Sequence, residues 1–178
     1  MREYQPPDKP DLYELQNMGH PVTIFLAGSI EMGVAEMWQA KVVNELKKYK
    51  VLLFNPRRAN WDVTIKQSIL SKPFVDQVEW ELEQIEKSDI IIFYFDGNTK
   101  SPVTMLELGL VLGRVDERRD ANHQQVLLCC PDEFWRSGNV EYTASRYGTN
   151  MVSYTKTFDE MIAELKHKLE SMGVGHEA

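Results

Sequence analysis

One glutamate interrupts an otherwise apolar stretch of the sequence. Glu107 lies within residues 103–112, where nearly every neighbour is Val, Met, Leu or Gly. A carboxylate in such surroundings is costly to bury unless it has a partner. Two interpretations stay open at this point: an acid that reaches solvent or pairs with an arginine at the helix edge, and an acid that performs chemistry in a site.

Two further acids precede Glu107 on a predicted helix. Glu79 and Glu81 flank its apolar stripe on opposite sides, and either acid alone is typical of a solvated helix face. If one of them faced Glu107, the pair would suit reaction at a glycosidic carbon. One carboxylate would attack or stabilise the cationic sugar, and the other would transfer the proton. The helical pattern does not choose between Glu79 and Glu81.

Other polar residues could bind a substrate. Ser29 and Ser101 lie at strand-to-helix turns, where backbone N–H groups and the helix dipole favour an anion such as phosphate. Ser101, which precedes Pro102, is equally well explained as a helix N-cap. A polar loop contains four more candidates for nucleobase binding, although arginines in an exposed loop are usually only solvated: Arg57, Arg58, Trp61 and Asp62.

Several functional classes lose support. No Gly-x-Gly-x-x-Gly or Walker sequence follows a predicted strand, and the four histidines lack metal-ligand spacing, so we predict no cofactor and no metal. The adjacent Cys129 and Cys130 are expected to be reduced core thiols. A net charge of −7 argues against a nucleic-acid partner. Without a signal-peptide core or an apolar run near the ~18 residues of a membrane span, we expect a cytoplasmic protein without a membrane partner.

The chain alternates predicted strands with predicted helices. The strands are expected at residues 22–27, 51–54, 89–95 and 125–130, with a weaker one at 150–154. Helices are expected at residues 35–49, 71–87 and 103–114 and after Thr157, which forms a capping box with Glu160.

Unbroken apolar strands that alternate with helices indicate a parallel sheet covered on both faces. We therefore predict a single-domain α/β fold, doubly wound and flavodoxin- or Rossmann-like, with about five strands. Residues 1–20 are interpreted as an N-terminal extension, 21–172 as the domain and 173–178 as a flexible tail. Ligands of such folds bind beyond the carboxyl ends of the strands, which singles out the loops at Gly28, Asn55, Asp96 and Pro131.

An ordered set of short motifs resembles the nucleoside 2-deoxyribosyltransferase-like family over about residues 22–131. The motifs are FLAGSI at 25–30, FNPRR at 54–58, NWD at 60–62, QVEWE at 77–81, SDIIIF at 88–93 and MLELG at 105–109. The resemblance implies cleavage of the N-glycosidic bond of (deoxy)nucleosides, with Glu107 as the nucleophile that forms a glycosyl-enzyme. Transfer to a second base or to water would then define the activity.

The resemblance also implies roles for other residues. The family's second acid lies eight residues before the aspartate that opens the central strand, and counting back from Asp89 reaches Glu81. Glu81 is therefore the predicted partner acid. The predicted substrate-binding residues are Gly28, Ser29, Ile30, Asn55, Arg57, Arg58, Trp61, Asp62 and Ser101.

Three positions, at which the family's branches differ or this chain departs from them, bear on the substrate. Six residues before the catalytic glutamate, nucleoside transferases carry an aspartate that holds the sugar 5′-hydroxyl, whereas the related 5′-monophosphate N-glycosidases carry serine, as this chain does at Ser101. Serine favours a phosphorylated substrate, because it adds no negative charge beside the phosphate. Glu31 argues against such a substrate, because the monophosphate branch usually has arginine there, although the positive charge of Arg57 or Arg58 could compensate for the acid. Phe25 replaces a tyrosine whose hydroxyl orients the catalytic carboxylate. Its loss could lower activity, shift the role to Tyr94 or another residue, or mark a member with altered chemistry.

Three functions thus stay open: transfer at the N-glycosidic bond, hydrolysis of deoxynucleoside 5′-monophosphates, and a non-catalytic nucleotide-binding module. The expected partner is a small nucleoside or nucleotide. Members of the family are oligomers, and the helix at 103–112 is apolar on nearly every side. We therefore also predict a homodimer or a larger homo-oligomer.

Overall fold

The computed structural model describes residues 1–31, 34–58, 62, 64–117 and 124–175. The described residues form a parallel sheet of six strands with helices on both sides. The strands are β1 (Arg2–Tyr4), β2 (Val22–Gly28), β3 (Val51–Phe54), β4 (Ile90–Tyr94), β5 (Gln125–Cys129) and β6 (Val152–Thr155). They lie in the order β1-β3-β2-β4-β5-β6. The α/β doubly wound fold predicted from the sequence is confirmed.

The helices are α1 (Leu12–Asn17), α2 (Trp38–Glu45), α3 (Lys72–Lys87), α4 (Pro102–Glu117), α5 (Ser137–Tyr147) and α6 (Phe158–Ser171). The predicted capping box of α6 is present, because Thr157 and Glu160 each bond the other's backbone N–H. The predicted helix at 35–49 is shorter than expected, since α2 ends at Glu45 and a turn leads Tyr49 into the core.

The prediction of about five strands was one strand short. The sixth strand, β1, lies within residues 1–20, which the sequence pattern marked as an extension. Tyr4 pairs with Phe54 of β3, and the backbone N–H of Asn55 donates to the Tyr4 carbonyl at 2.9 Å. β1 escaped notice because its three residues are polar or only part-buried and show no apolar pattern.

Alternate residues of the central strands point into two separate apolar layers. Ile24 and Leu26 face a layer with α2 and α6, whereas Phe25 and Ala27 face a layer with α3, α4 and α5. The two helices that carry the candidate acids therefore pack on the same face of the sheet.

The strand order changes direction between β2 and β4, where such folds bind ligands. The backbone N–H of Ser29 donates to the Tyr94 carbonyl at 2.9 Å, which extends the contact between β2 and β4 past the end of β2. Gly28 makes this approach feasible: a Cβ atom there would lie 2.5 Å from the Tyr94 carbonyl oxygen and 2.7 Å from the Trp38 ring.

Candidate active site

The candidate acids Glu107 and Glu81 lie close enough to interact electrostatically. Both side chains are part-buried, Glu107 on α4 and Glu81 on α3. Burial, and to a lesser extent the negative charge of Glu81, raise the pKa of Glu107 to about 8.

Glu81 is held by polar groups that favour its charged form. Burial raises the pKa of Glu81, while a hydrogen bond from Gln77 and the positive charge of Arg58 act in the opposite direction. Gln77 Nε2 donates to Glu81 Oε1 at 2.5 Å and to the Pro56 carbonyl at 3.2 Å. Because the two are one helical turn apart, Gln77 fixes the Glu81 carboxylate and ties α3 to the loop after β3.

Two interacting carboxyl groups with separate environments can share one proton near neutral pH. Gln77 and Arg58 favour the charged form of Glu81, whereas burial and the charge of Glu81 both favour the protonated form of Glu107. Such a pair provides one group that can become a nucleophile and another that can move a proton.

Glu79, the alternative to Glu81, lies elsewhere. It is exposed and lines a groove on the outer side of α3 together with Pro7 and Lys9. The choice that the helical pattern left open is thus decided by position: of Glu79 and Glu81, it is Glu81 whose charge acts on Glu107.

The two predicted serines meet at the carboxyl end of the sheet. Ser29 Oγ and Ser101 Oγ are 2.5 Å apart, and Thr99 Oγ1 lies 2.9 Å from the first and 2.8 Å from the second. Ser29 Oγ also accepts the backbone N–H of Asp96 at 2.9 Å. All three hydroxyl side chains are buried, so they form a hydrogen-bonded cluster that joins β2 to the loop before α4.

Glu31 approaches the start of α4. The backbone N–H groups of Lys100 and Ser101 donate to Glu31 Oε1 at 2.5 and 2.6 Å. Glu31 and Ser101 both have positive φ angles, 38° and 46°, which non-glycine residues seldom adopt. Gly28 and Ile30, which flank Ser29, are part-buried at the end of β2.

Asn55 and Arg57 make structural contacts. Asn55 is buried; its Nδ2 donates to Glu3 Oε1 at 2.7 Å, and its Oδ1 accepts the Arg57 backbone N–H at 3.0 Å. The Arg57 guanidinium donates to the carbonyls of Glu36 and Ala35 at 2.7 and 3.1 Å and to Gln39 Oε1 at 3.2 Å. Arg57 therefore holds the segment that enters α2, and these bonds leave it poorly placed to offset Glu31.

The remaining predicted residues of this loop differ in whether they interact with the acid pair. Arg58 is part-buried, and its charge acts on Glu81, so it belongs with the acid pair. Asp62 is exposed and accepts the backbone N–H and the hydroxyl of Thr64 at 2.8 and 2.6 Å, within its own loop. Trp61 and its neighbour Asn60 lie outside the described residues.

Tyr94 cannot replace the hydroxyl that Phe25 lacks. Phe25 is buried in the layer that contains α3 and α4, beside Trp80 at a ring-centroid distance of 6.3 Å. Tyr94 points into the opposite layer, where it stacks on Trp38 at 5.0 Å and its hydroxyl donates to Glu36. The suggestion that Tyr94 orients Glu107 was therefore wrong, because the two side chains lie on opposite faces of the sheet.

Gln77 is the site residue that the sequence analysis missed. It opens the QVEWE motif at 77–81, which supports the family resemblance, but no role for Gln77 was predicted. Its spacing of four residues from Glu81 was the available signal, since such pairs share one face of a helix.

Among the described residues, no group of three or more His, Cys, Asp or Glu side chains is arranged to hold a metal ion. Over the same part of the chain, no helix is long and apolar enough to cross a membrane. Cys129 and Cys130 are buried free thiols, as predicted, and burial raises their pKa values to about 12 and about 11.

Comparisons with known proteins bear on the family and the fold. A family model described as "Nucleoside 2-deoxyribosyltransferase like" matches residues 21–134. No curated protein matches the chain. A solved structure described as a conserved protein from Enterococcus faecalis V583 aligns with a TM-score of 0.55 at 16% identity, covering 84% of this chain and 99% of that chain. At this identity the likeness concerns the fold alone, and it is consistent with the Rossmann-like architecture.

Proposed function

Because the chain belongs to the nucleoside 2-deoxyribosyltransferase-like family, we propose that it cleaves or transfers at the N-glycosidic bond of (2′-deoxy)nucleosides or their 5′-monophosphates. Glu107 is the nucleophile and Glu81 is the partner acid. The family acts on small-molecule nucleosides, and the proposal extends that chemistry to these two residues.

The observation that carries the proposal is the electrostatic coupling of two part-buried carboxyl groups on adjacent helices. The charge of Glu81 raises the pKa of Glu107, and Gln77 and Arg58 hold Glu81 in turn. An arrangement of this kind is expensive to maintain for packing alone, since apolar side chains would fill the same space without a desolvation cost.

The first half-reaction breaks the bond between C1′ and the base nitrogen. A Glu107 carboxylate oxygen forms a bond to C1′, while the electron pair of the broken bond stays on the base. The proton that the acid pair shares reaches the base nitrogen through Glu81. Bound substrate must therefore favour the form in which Glu107 is ionised and Glu81 carries the proton.

The second half-reaction releases the sugar. An acceptor, either a second base or water, attacks C1′, and the ester oxygen of Glu107 leaves with its electron pair. The proton lost by the acceptor returns to Glu81, which restores the starting state. Two displacements at C1′ retain its configuration. The nature of the acceptor distinguishes a transferase from a hydrolase.

The end of the sheet supplies the substrate-binding side of the proposal. Gly28 ends β2, Ser29 and Ile30 follow it, and Ser101 lies directly before α4 and six residues before Glu107. In the proposal, C1′ of the pentose lies at Glu107 and its 5′ end points towards Ser101. Arg58 borders the acids, and Trp61 and Asp62 are proposed to contact the base.

One observation favours a second candidate, a nucleotide-binding module without turnover. Phe25 occupies the layer that faces α3 and α4, and it carries no hydroxyl to orient Glu107. In that case the fold would bind a nucleoside or nucleotide, and its melting temperature would rise with ligand while no base was released.

We also propose that the chain forms a homodimer or a larger homo-oligomer through α4. Val103 and Leu106 are 60% and 75% exposed, and the neighbouring Gly109 is exposed as well. Light scattering after size exclusion should give at least twice the chain mass, and Leu106→Glu should give the single-chain mass. A single-chain mass for the unaltered protein would contradict the proposal.

Chromatography of a nucleoside panel tests the enzymatic proposal. Deoxynucleosides, ribonucleosides and their 5′-monophosphates are incubated with the protein, with and without a second free base. Base exchange identifies a transferase, and free base without exchange identifies a hydrolase. Glu107→Ala should abolish either product, whereas Glu79→Gln, which alters an exposed acid on the outer side of α3, should leave the rate unchanged. Turnover at the normal rate by Glu107→Ala would refute the assignment.

A further inference from the structure

The chain's own carboxylate occupies an anion-binding position at the start of α4. Glu31 follows β2 closely, and its Oε1 accepts the consecutive backbone N–H groups of Lys100 and Ser101 at 2.5 and 2.6 Å. These two residues lead directly into α4, the helix that carries Glu107.

Two consecutive N–H groups beside the start of a helix are the groups that proteins use to bind phosphate oxygens. In this chain they are already bonded to a negative side chain. A phosphate at the same place would have to displace the Glu31 carboxylate and then lie beside it, and like charges at short range oppose each other strongly.

The other groups that the sequence offered to a phosphate are also engaged. The hydroxyls of Ser29 and Ser101 bond to each other and to Thr99 within a buried cluster. The Arg57 guanidinium bonds to backbone carbonyls at the entry to α2. Hydroxyl groups and N–H groups that are satisfied inside the protein gain little from an incoming anion.

We propose that Glu31 is a specificity-determining residue that makes the site select unphosphorylated nucleosides over their 5′-monophosphates. The inference rests on the proposed function for the location of the sugar. A carboxylate can accept about four hydrogen bonds, so Glu31 retains the capacity to accept a sugar hydroxyl while it repels a phosphate.

The test compares matched ligands on four proteins: wild type, Glu31→Gln, Glu31→Asp and Glu79→Gln. Deoxyadenosine and deoxyguanosine are each paired with their 5′-monophosphates. For each pair, kcat/KM is measured by chromatography and the dissociation constant by calorimetry. Thermal unfolding establishes that every variant is folded.

Wild type should prefer the nucleoside by about 100-fold, in line with the cost of placing two negative charges side by side at a binding site. Glu31→Gln keeps the shape and removes the charge, so the preference should narrow by at least about 10-fold. Glu31→Asp keeps the charge and should retain most of the preference. Glu79→Gln should match wild type.

The outcomes separate this inference from the proposed function. Discrimination in binding without any turnover would refute catalysis and support the role of Glu31. Turnover of both ligands at similar efficiency, or a preference that Glu31→Gln leaves unaltered, would overturn the role of Glu31 while catalysis stands. Failure of wild type to bind either ligand would overturn both.

Discussion

Replacing Glu107 by glutamine should stabilise the protein in a manner that depends on pH. The folded environment raises the pKa of the Glu107 carboxyl from 4.5 to about 8. Between those values the folded protein keeps a proton that the unfolded chain has released. The free energy of unfolding therefore falls as the pH rises from about 4.5 to about 8. Glutamine does not titrate, so the variant lacks this decrease in the free energy of unfolding.

The size of the effect follows from the shift. At about 1.4 kcal/mol for each pKa unit, the full interval corresponds to about 5 kcal/mol. About 2 kcal/mol is the lower bound, because Glu107 is only part-buried and shares its proton with Glu81. The variant and the wild type should be nearly equal in stability near pH 4.5. By pH 8 the variant should be more stable by about 2–5 kcal/mol, or roughly 5–15 °C in Tm for a chain of this size.

Calorimetric melts of both proteins at pH 5, 6, 7 and 8 measure the difference. Glu79→Gln serves as the matched control, because it removes an exposed carboxylate from α3 and should follow the wild-type pH dependence. A difference in Tm between Glu107→Gln and wild type that is the same at pH 5 and pH 8 would refute the reasoning.

Three more predictions follow from the same structure. The rate of base release should fall on both sides of neutral pH. The alkaline decline should lie near the Glu107 pKa of about 8, where the acid pair loses its shared proton. A rate that stays constant to pH 10 would exclude a catalytic proton on this pair. Gly28→Ala should lower the unfolding free energy by about 1–3 kcal/mol, because the added Cβ would lie 2.5 Å from the Tyr94 carbonyl oxygen, and an unaltered urea midpoint would contradict the close approach of β2 to β4. Thr157→Ala should cost about 1 kcal/mol through loss of the α6 capping box, and Thr157→Ser, which keeps the hydroxyl, should restore most of it in thermal melts.

The sequence predicted the central part of the fold because its strands are long apolar runs. β2 to β5 are buried along most of their length, the helices α2 and α3 show apolar stripes, and α4 is apolar on nearly every side. The elements that escaped prediction lack these signals. β1 has three polar or part-buried residues, and α5 buries only Val140 and Ala144.

The candidate site could be predicted only as a set of residue types. Glu107 could be predicted because a charge is costly among the apolar residues of α4. Glu81 could be predicted from the spacing that the family keeps between its second acid and the central strand. The partners of the polar groups depend on contacts between distant segments, such as Arg57 with the carbonyls of residues 35 and 36. Glu31 is the clearest case, because its bonds to residues 100 and 101 exist only once β2 and α4 are packed together.

The central claim is that Glu107 forms a covalent bond to the sugar. A nucleoside with fluorine at the 2′ position supplies the most direct test, because the substituent slows hydrolysis of a glycosyl ester. The protein is incubated with this nucleoside and digested with a protease, and the peptide masses are measured by mass spectrometry. We predict a mass increase equal to the fluorinated sugar on the peptide that contains Glu107, and none after Glu107→Gln. Release of free base from ordinary nucleosides without any labelled peptide, or a label on another residue, would contradict the account.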